Sequence, residues 1–462
     1  MPNCSPRLSP NRPTTQPHQK IPAPVRGLRR WAQACLLLAA TCTISAQTLA
    51  RPGWAGSGLN ADPWWKHAVF CEIQGGSTTP PKPGADSQTV PGVDFKAVTT
   101  KLDALQSLGV DALLLPIPKL PVEDQSAVKD STPSTAADPK PGADATLDSF
   151  DELVRQASAR HIRILLIFSA VGVTADLPAM ARFWLSRGVA GFRIIAPPET
   201  SPQQIQPVVQ LLRQTASSAV GERIVIADFN PDVSSNSYTP RPRSARRKKA
   251  LHADRDVNTA TAQLQIDSRL NELELPGAAN VRPLLEQSLF QPNVLLDFHA
   301  PSPPTSPDPY PALTKVIAAI QLTTHSAALI DADHDSLQSM IEPASDAAAA
   351  ESMEWYRHLN ALRHSNATLR YGRVTILNFD AQNALVWIAR PSPGAGRTPP
   401  VVVACNLSSA AVQISLGAAT RKLRLRGSYL RTLPGSDAGM GAHGLNSLTL
   451  PPFAVYIGEL RR

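Results

Sequence analysis

Between Trp64 and His364, short runs rich in leucine and β-branched residues alternate with stretches whose apolar positions recur every three to four residues. Phe95, Val98, Leu102, Leu105 and Leu108 share one helical face, Gly109 stops that helix, and the apolar run Ala112 to Ile117 follows as a strand. The same spacing predicts helices at Phe150 to Ser158, Leu177 to Ser186, Pro311 to Leu322 and Met353 to Leu362. It predicts strands at Ile162 to Phe168, Val189 to Ile195, Arg223 to Phe229, Val294 to Phe298 and Ala327 to Ile330. Strand and amphipathic helix in alternation are the signature of βα units on a parallel sheet. About seven strands can be counted, with the sixth obscure inside 250–280. The economical reading is an α/β fold, a closed (β/α)8 TIM barrel.

After Asn366 the period changes to the alternation of antiparallel strands, in VTILNF, ALVWIA, VVVACNL and FAVYIGEL, punctuated by Gly, Pro, Ser and Asn. The domain reading is therefore a leader at 1–50, a barrel at 51–364 and a C-terminal antiparallel β-sandwich at 365–462. The 44 prolines gather in a few stretches that read as surface loops, and 43% apolar content suffices for two cores.

Charge narrows the choice of partner. The formal net charge is +8, but Arg7, Arg12, Lys20, Arg26, Arg29 and Arg30 all lie in the first 46 residues, which contain no acid. Six more cations form one run, Arg241, Arg243, Arg246, Arg247, Lys248 and Lys249. The remainder is mildly acidic, which does not support a general nucleic-acid surface. Arg29 and Arg30 precede the apolar stretch Trp31 to Ala46, shorter than the ~20 residues that span a bilayer. It reads as a secretory signal peptide with cleavage near Ala46 or Ala50, placing the chain in the periplasm or outside the cell. An uncleaved leader would be a signal anchor, the one route to membrane attachment. Past the leader the cysteines are Cys71 and Cys405, each in an apolar run, so they read as small buried residues and no disulfide framework or metal cluster is expected.

Longer motifs carry a resemblance. DPWWKHAVFCEIQGGS and DFKAVTTKLDALQSLGVDALLLPIP are similar to the first strand, first helix and second strand of glycoside hydrolase family 13, the α-amylase family. SFDELVRQASARHIRILLIF, FWLSRGVAGFRIIA and LNALRHSNATLRYG resemble its second helix and third strand, third helix and fourth strand, and last helix. The similarity covers about 64 to 460. It implies carbohydrate chemistry at the carboxyl ends of the strands, where a retaining glycosidase uses two carboxyl groups about 5 Å apart.

Set against that family, the mouth is altered. The motif Gly-Phe-Arg-x-Asp that holds the nucleophile reads Gly191, Phe192, Arg193, Ile194, Ile195 here, and isoleucine cannot form a glycosyl ester. The acid/base Glu after the fifth strand corresponds to Asp228, one methylene shorter and the candidate catalytic residue. The seventh-strand Asn-His-Asp becomes Phe298, His299, Ala300, while Ile167, Val171 and Gly172 replace the polar third-strand motif. Thr174 runs directly into the helix at Asp176, leaving no room for the family's domain B. Trp64, Trp65 and Trp184 read as packing residues. These departures imply a homologue without hydrolytic activity that binds a glycan or a protein partner and needs no cofactor or metal. They also resemble the extracellular heavy chains of heteromeric amino-acid transporters, which suggests a membrane-tethered scaffold if the leader stays. A divergent retaining α-glycosidase would pair Asp228 with a relocated carboxylate, Glu199 or Asp297.

Individual residues keep two readings. Arg193 and His299 are candidate substrate-binding groups or structural hydrogen-bonding residues. Asp297, Asp331, Asp333, His334 and Asp335 are solvated acids or a replacement acid or metal site. The basic run at 241–249 is a charged loop or a contact for an anionic surface.

Overall fold

A computed structural model of the chain describes residues 63–73, 93–118, 143–169, 176–195, 202–227, 262–273, 277–291, 293–299, 310–324, 327–331, 347–377, 382–392, 398–437 and 441–462. All of these belong to one unit, Pro63–Arg462. A 3-10 turn at Trp64–His67 leads into β1 (Val69–Glu72), and the parallel strands β2 (Ala112–Pro116), β3 (Arg163–Ser169), β4 (Gly191–Ile195), β5 (Ile224–Ala227), β6 (Leu264–Asp267), β7 (Val294–Asp297) and β8 (Ala327–Asp331) follow. They close in sequence order, β8 pairing back onto β1 with Glu72 opposite Asp331. The barrel expected from the alternation is present with all eight strands.

Both faces of each strand are buried, as a barrel wrapped by helices requires. Phe70, Leu114, Leu165, Ile226, Ile266, Leu295 and Leu329 fill the lumen. Their neighbours Val69, Leu113, Leu166, Val225, Leu296 and Ile330 point outward into the helix layer. Helices α1 (Phe95–Leu108), α2 (Ala143–Ala159), α3 (Leu177–Ser186), α4 (Pro202–Ser217), α5 (Ala278–Phe290), α6 (Tyr310–Thr324) and α7 (Ala347–Ser365) supply that layer. In α1 the carboxylate of Asp94 caps the amides of Lys96 and Ala97 at 2.9 and 3.2 Å, and the five residues predicted to share a face are all buried. Gly109 ends the helix in the left-handed region, where a side chain would also strike Asn360. Trp65 and Trp184 are buried in the core, and Trp64 packs against the lumen cluster.

Within the barrel, three of the described elements were hidden from the pattern. Helices α4 and α5 carry interior prolines, Pro207 and Pro283, which blur the helical signal. Strand β6 is only four residues long and includes polar Gln265 and Asp267.

A short helix, α8 (Ala367–Tyr371), capped by Asn366, leads to an antiparallel six-stranded sheet in the order β14 (Ala442–Gly444), β13 (Tyr429–Thr432), β16 (Val455–Arg461), β11 (Val401–Asn406), β10 (Ala384–Arg390) and β9 (Arg373–Leu377). A second, two-stranded sheet pairs β12 (Val412–Ile414) with β15 (Leu448–Leu450). On the large sheet Leu385, Trp387, Val401, Val403, Cys405 and Ile457 join the barrel's core, while Val386, Ile388, Val402, Ala404 and Tyr456 face β12 and β15. This is the expected C-terminal β-sandwich, docked on the barrel through one face. Cys71 and Cys405 are free and buried, as their apolar runs indicated.

Candidate functional site: the barrel mouth

Side chains two residues apart on a strand share a face, so the lumen positions continue upward to the carboxyl ends of the strands. On β1 the step from Phe70 leads to Glu72. On β4 Arg193 and then Ile195 face the same way, and on β7 the step from Leu295 leads to Asp297. These residues rim the mouth.

Arg193 donates from Nη1 to Oε2 of Glu72, and both residues are buried, 8% and 4% exposed. Strands β2 and β3 separate β1 from β4, so the pair reaches across the lumen rather than along its wall. An isolated buried charge is costly, and each partner makes the other tolerable. Ile167 of β3 stands in register with Arg193 and packs against the lumen cluster. Above the ion pair, Ile195 ends β4 at 37% exposure, one of the large apolar side chains that meet solvent.

On the other side of the mouth, Asn271 lies in a 3-10 turn, Arg269–Glu272, that follows β6. Its Nδ2 donates to Oδ2 of Asp297 at 3.1 Å, and its Oδ1 accepts the backbone N–H of His299 at 3.0 Å. One amide thus fixes both the carboxylate that ends β7 and the chain just beyond it. Buried Asp267 is gripped by Arg269 through Nε at 2.8 Å and Nη2 at 2.7 Å. Burial pushes the Asp267 carboxyl up, but hydrogen bonds from Arg269 and Ser288 and the guanidinium charge outweigh it and hold the group below the usual carboxylate value.

Of the residues singled out in the sequence, the structure places Arg193 on β4 beside Glu72, and His299 just past β7 beside Asn271. Asp331 closes β8 opposite Glu72. Asp228, Ala300, Val171, Gly172, Thr174, Glu199, Asp333, His334, Asp335 and the basic run 241–249 lie outside the described residues, as does the leader. Among the described residues no group of three His, Cys, Asp or Glu side chains is arranged to hold a metal ion, and no helix is long and apolar enough to cross a membrane.

Sequence reasoning passed over Glu72 and Asn271. Glu72 carried a usable signal, a lone acid in an apolar strand that demands a cation, and Arg193 is the cation of β4. Asn271 had none, because its role depends on the turn that brings it beside β7.

With this geometry in view, comparison with known proteins adds the following. No family model matches the chain. A segment of 104 residues, 22% of the chain, is 40% identical to trehalose-6-phosphate hydrolase of Escherichia coli (strain K12). That match spans 17% of the hydrolase's own length. Among solved structures, a mutant of trehalulose synthase MutB superposes with a TM-score of 0.58 over 86% of this chain and 100% of that one, at 14% identity. Isomaltulose synthase PalI from Klebsiella sp. LX3 does so with a TM-score of 0.58 over 87% of this chain and all of its own, at 16% identity. The chain has the fold of these synthases, a (β/α)8 barrel with a C-terminal antiparallel domain.

Proposed function

We propose that this protein is an exported, divergent member of glycoside hydrolase family 13 that does not hydrolyse glycosides and binds a glycan or a protein partner through its barrel mouth. The observation that carries this reading is the end of β4. Where the family motif places its nucleophile, the chain presents exposed Ile195, and the arginine below it is engaged by Glu72. A covalent glycosyl intermediate requires a carboxylate at that position. Membership of the family is supported by the shared fold and by the 104-residue match. Loss of the sugar cleft's wall is supported by the short link between β3, which ends at Ser169, and α3, which begins at Leu177. A tethered, heavy-chain-like role depends on the leader remaining uncleaved. Sequencing the amino terminus of the exported protein distinguishes it, since a start at Gln47 or Arg51 removes the anchor.

A second reading, a divergent α-glycosidase, is favoured by one feature. Asp297 is a lumen-facing carboxylate held in place by Asn271, as a working acid or base needs to be. It would act with Asp228.

The decisive assay incubates purified protein with maltodextrin, sucrose, trehalose and an aryl α-glucoside and measures released sugar. No turnover is expected, together with binding on a glycan array or capture of a partner by the wild type. Release of sugar that disappears in Asp228→Ala or Asp297→Asn would establish the glycosidase reading instead.

A further inference from the structure

From Thr398 to Arg462 the sequence holds seven Arg and Lys residues against two carboxylates, Asp437 and Glu459. Strand register brings most of these cations to one end of the large sheet. One rung of the ladder runs through Ala389, Val401, Glu459 and Arg431. One step beyond it, Arg390 of β10 stands opposite Arg373 of β9, and two steps beyond it Arg461 of β16 stands opposite Tyr429 of β13. The link into β13 joins the same end, since the N–H of Ser428 donates to the carbonyl of Arg461 at 2.7 Å. That link carries Arg424 and Arg426, and the short helix before it, α9 (Gly417–Lys422), ends in Arg421 and Lys422. With strands about 4.8 Å apart, the row from β9 to β13 is about 19 Å long.

Little neutralises this row. Asp437 holds the N–H of Val455 at 2.9 Å at the far end of β16, and Glu459 is engaged by Arg461, whose Nε donates to it at 2.9 Å. Arg373, Arg421, Lys422, Arg424, Arg426 and Arg462 are exposed, and their side chains make no hydrogen bond or ion pair among the described residues. Like charges directly opposite in a sheet, as Arg373 and Arg390 are, repel. The C-terminus of α9 favours Arg421 and Lys422, but Arg424 just beyond it sits in the left-handed region at φ 55°, where glycine is the usual residue and a side chain is strained. A bound polyanion would offset both the repulsion and the strain. Leu423 and Leu425, which alternate with these cations, pack on the sandwich core, so they offer no apolar wedge to a bilayer. An exposed aromatic is present instead: Tyr371, 42% exposed, stands two residues before Arg373. An aromatic ring beside cations suits a charged sugar, which stacks on the ring and pairs with the guanidinium forks.

We infer that this end of the C-terminal sheet binds an acidic polysaccharide, its carboxylates or sulfates held by Arg373, Arg424, Arg426 and Arg462 and a sugar ring by Tyr371. The inference rests on the export proposed above, which brings the chain to such polymers rather than to nucleic acid, and not on what the mouth binds.

The test is calorimetric titration of the full chain at pH 7 with polygalacturonate, dextran sulfate, neutral dextran, a DNA duplex and phosphatidylserine vesicles. The two acidic polysaccharides are expected to bind and neutral dextran is not, and the tighter of the two names the charged group. Affinity should fall by about tenfold or more between about 50 and 200 mM NaCl as counterions are released. The double variant Arg424→Gly, Arg426→Gln should weaken binding about tenfold without lowering Tm, because glycine relieves the strain at φ 55° and both positions are exposed. The charge-matched variant Lys96→Gln, Arg182→Gln, at exposed positions of α1 and α3, should bind as the wild type does. Should Arg424→Gly unfold the domain, Arg426→Gln with Arg462→Gln decides. Undiminished binding in the sheet variants would assign the polymer to another basic stretch such as 241–249 and overturn the proposal. So would equal binding of neutral dextran, or tighter binding of the duplex or the vesicles. Amino-terminal sequencing reads export separately, so failure of that reading and failure of this site are told apart.

Discussion

At the scale of single residues, the barrel shows how a polar group is chosen by what surrounds it. Asp111 is an example at the barrel's closed end. Burial pushes its carboxyl up, but the hydrogen bond and charge of His364, the Val69 N–H and the charge of Arg370 outweigh burial and hold it below the usual value of 3.8. A carboxyl whose folded value lies below its unfolded one contributes stability above the unfolded value and loses it as pH falls through the folded one. Asp111→Asn is therefore expected to lower stability by about 1–3 kcal/mol at pH 7, with the gap to wild type closing below pH 3.8. Urea unfolding midpoints measured from pH 7 to pH 3 check this, and a gap that widens in acid would contradict the assignment. Gly191 illustrates a different constraint. A side chain there would run into the backbone of Ile224 on β5, so Gly191 is needed for strand packing.

At the scale of elements, the C-terminal sheet is held by contacts that belong to neither domain alone. Trp387 of β10 is fully buried and donates its indole N–H to the carbonyl of Thr323 at the end of α6, at 3.3 Å. Arg282 of α5 donates from Nη2 to the carbonyl of Ala384 at 2.9 Å. Replacing Trp387 removes an aromatic side chain from the seam and leaves a carbonyl without that donor. Trp387→Ala should cost about 3–5 kcal/mol, read from the denaturant midpoint, and an unchanged midpoint would mean that the seam relaxes freely. The mouth obeys the same logic, since Asn271 in a turn after β6 orders groups at the end of β7.

For the molecule as a whole, the main apolar cluster runs without interruption from the barrel's helix layer into Trp387, Val403 and Ile457 of the sandwich. Regions that share a core unfold together. Calorimetry should show one transition for barrel and sandwich, and two resolved transitions would show that the seam is weaker than its burial suggests. How much of this was legible in the chain depended on the range of the interactions concerned. Apolar spacing alone determined the βα alternation, the change to antiparallel strands after Asn366 and the buried face of α1, because these follow from the periods of helix and strand. The place of Ile195 at the carboxyl end of β4 was visible as well, since the run Gly-Phe-Arg-Ile-Ile fixes its register. Tertiary structure decided the rest. It joined Glu72 to Arg193 across the lumen, past the two strands that separate β1 from β4, brought Asn271 to Asp297 and located β6. Those partners lie far apart in sequence and are brought together by closure of the barrel, which no local pattern of hydrophobic and polar residues encodes.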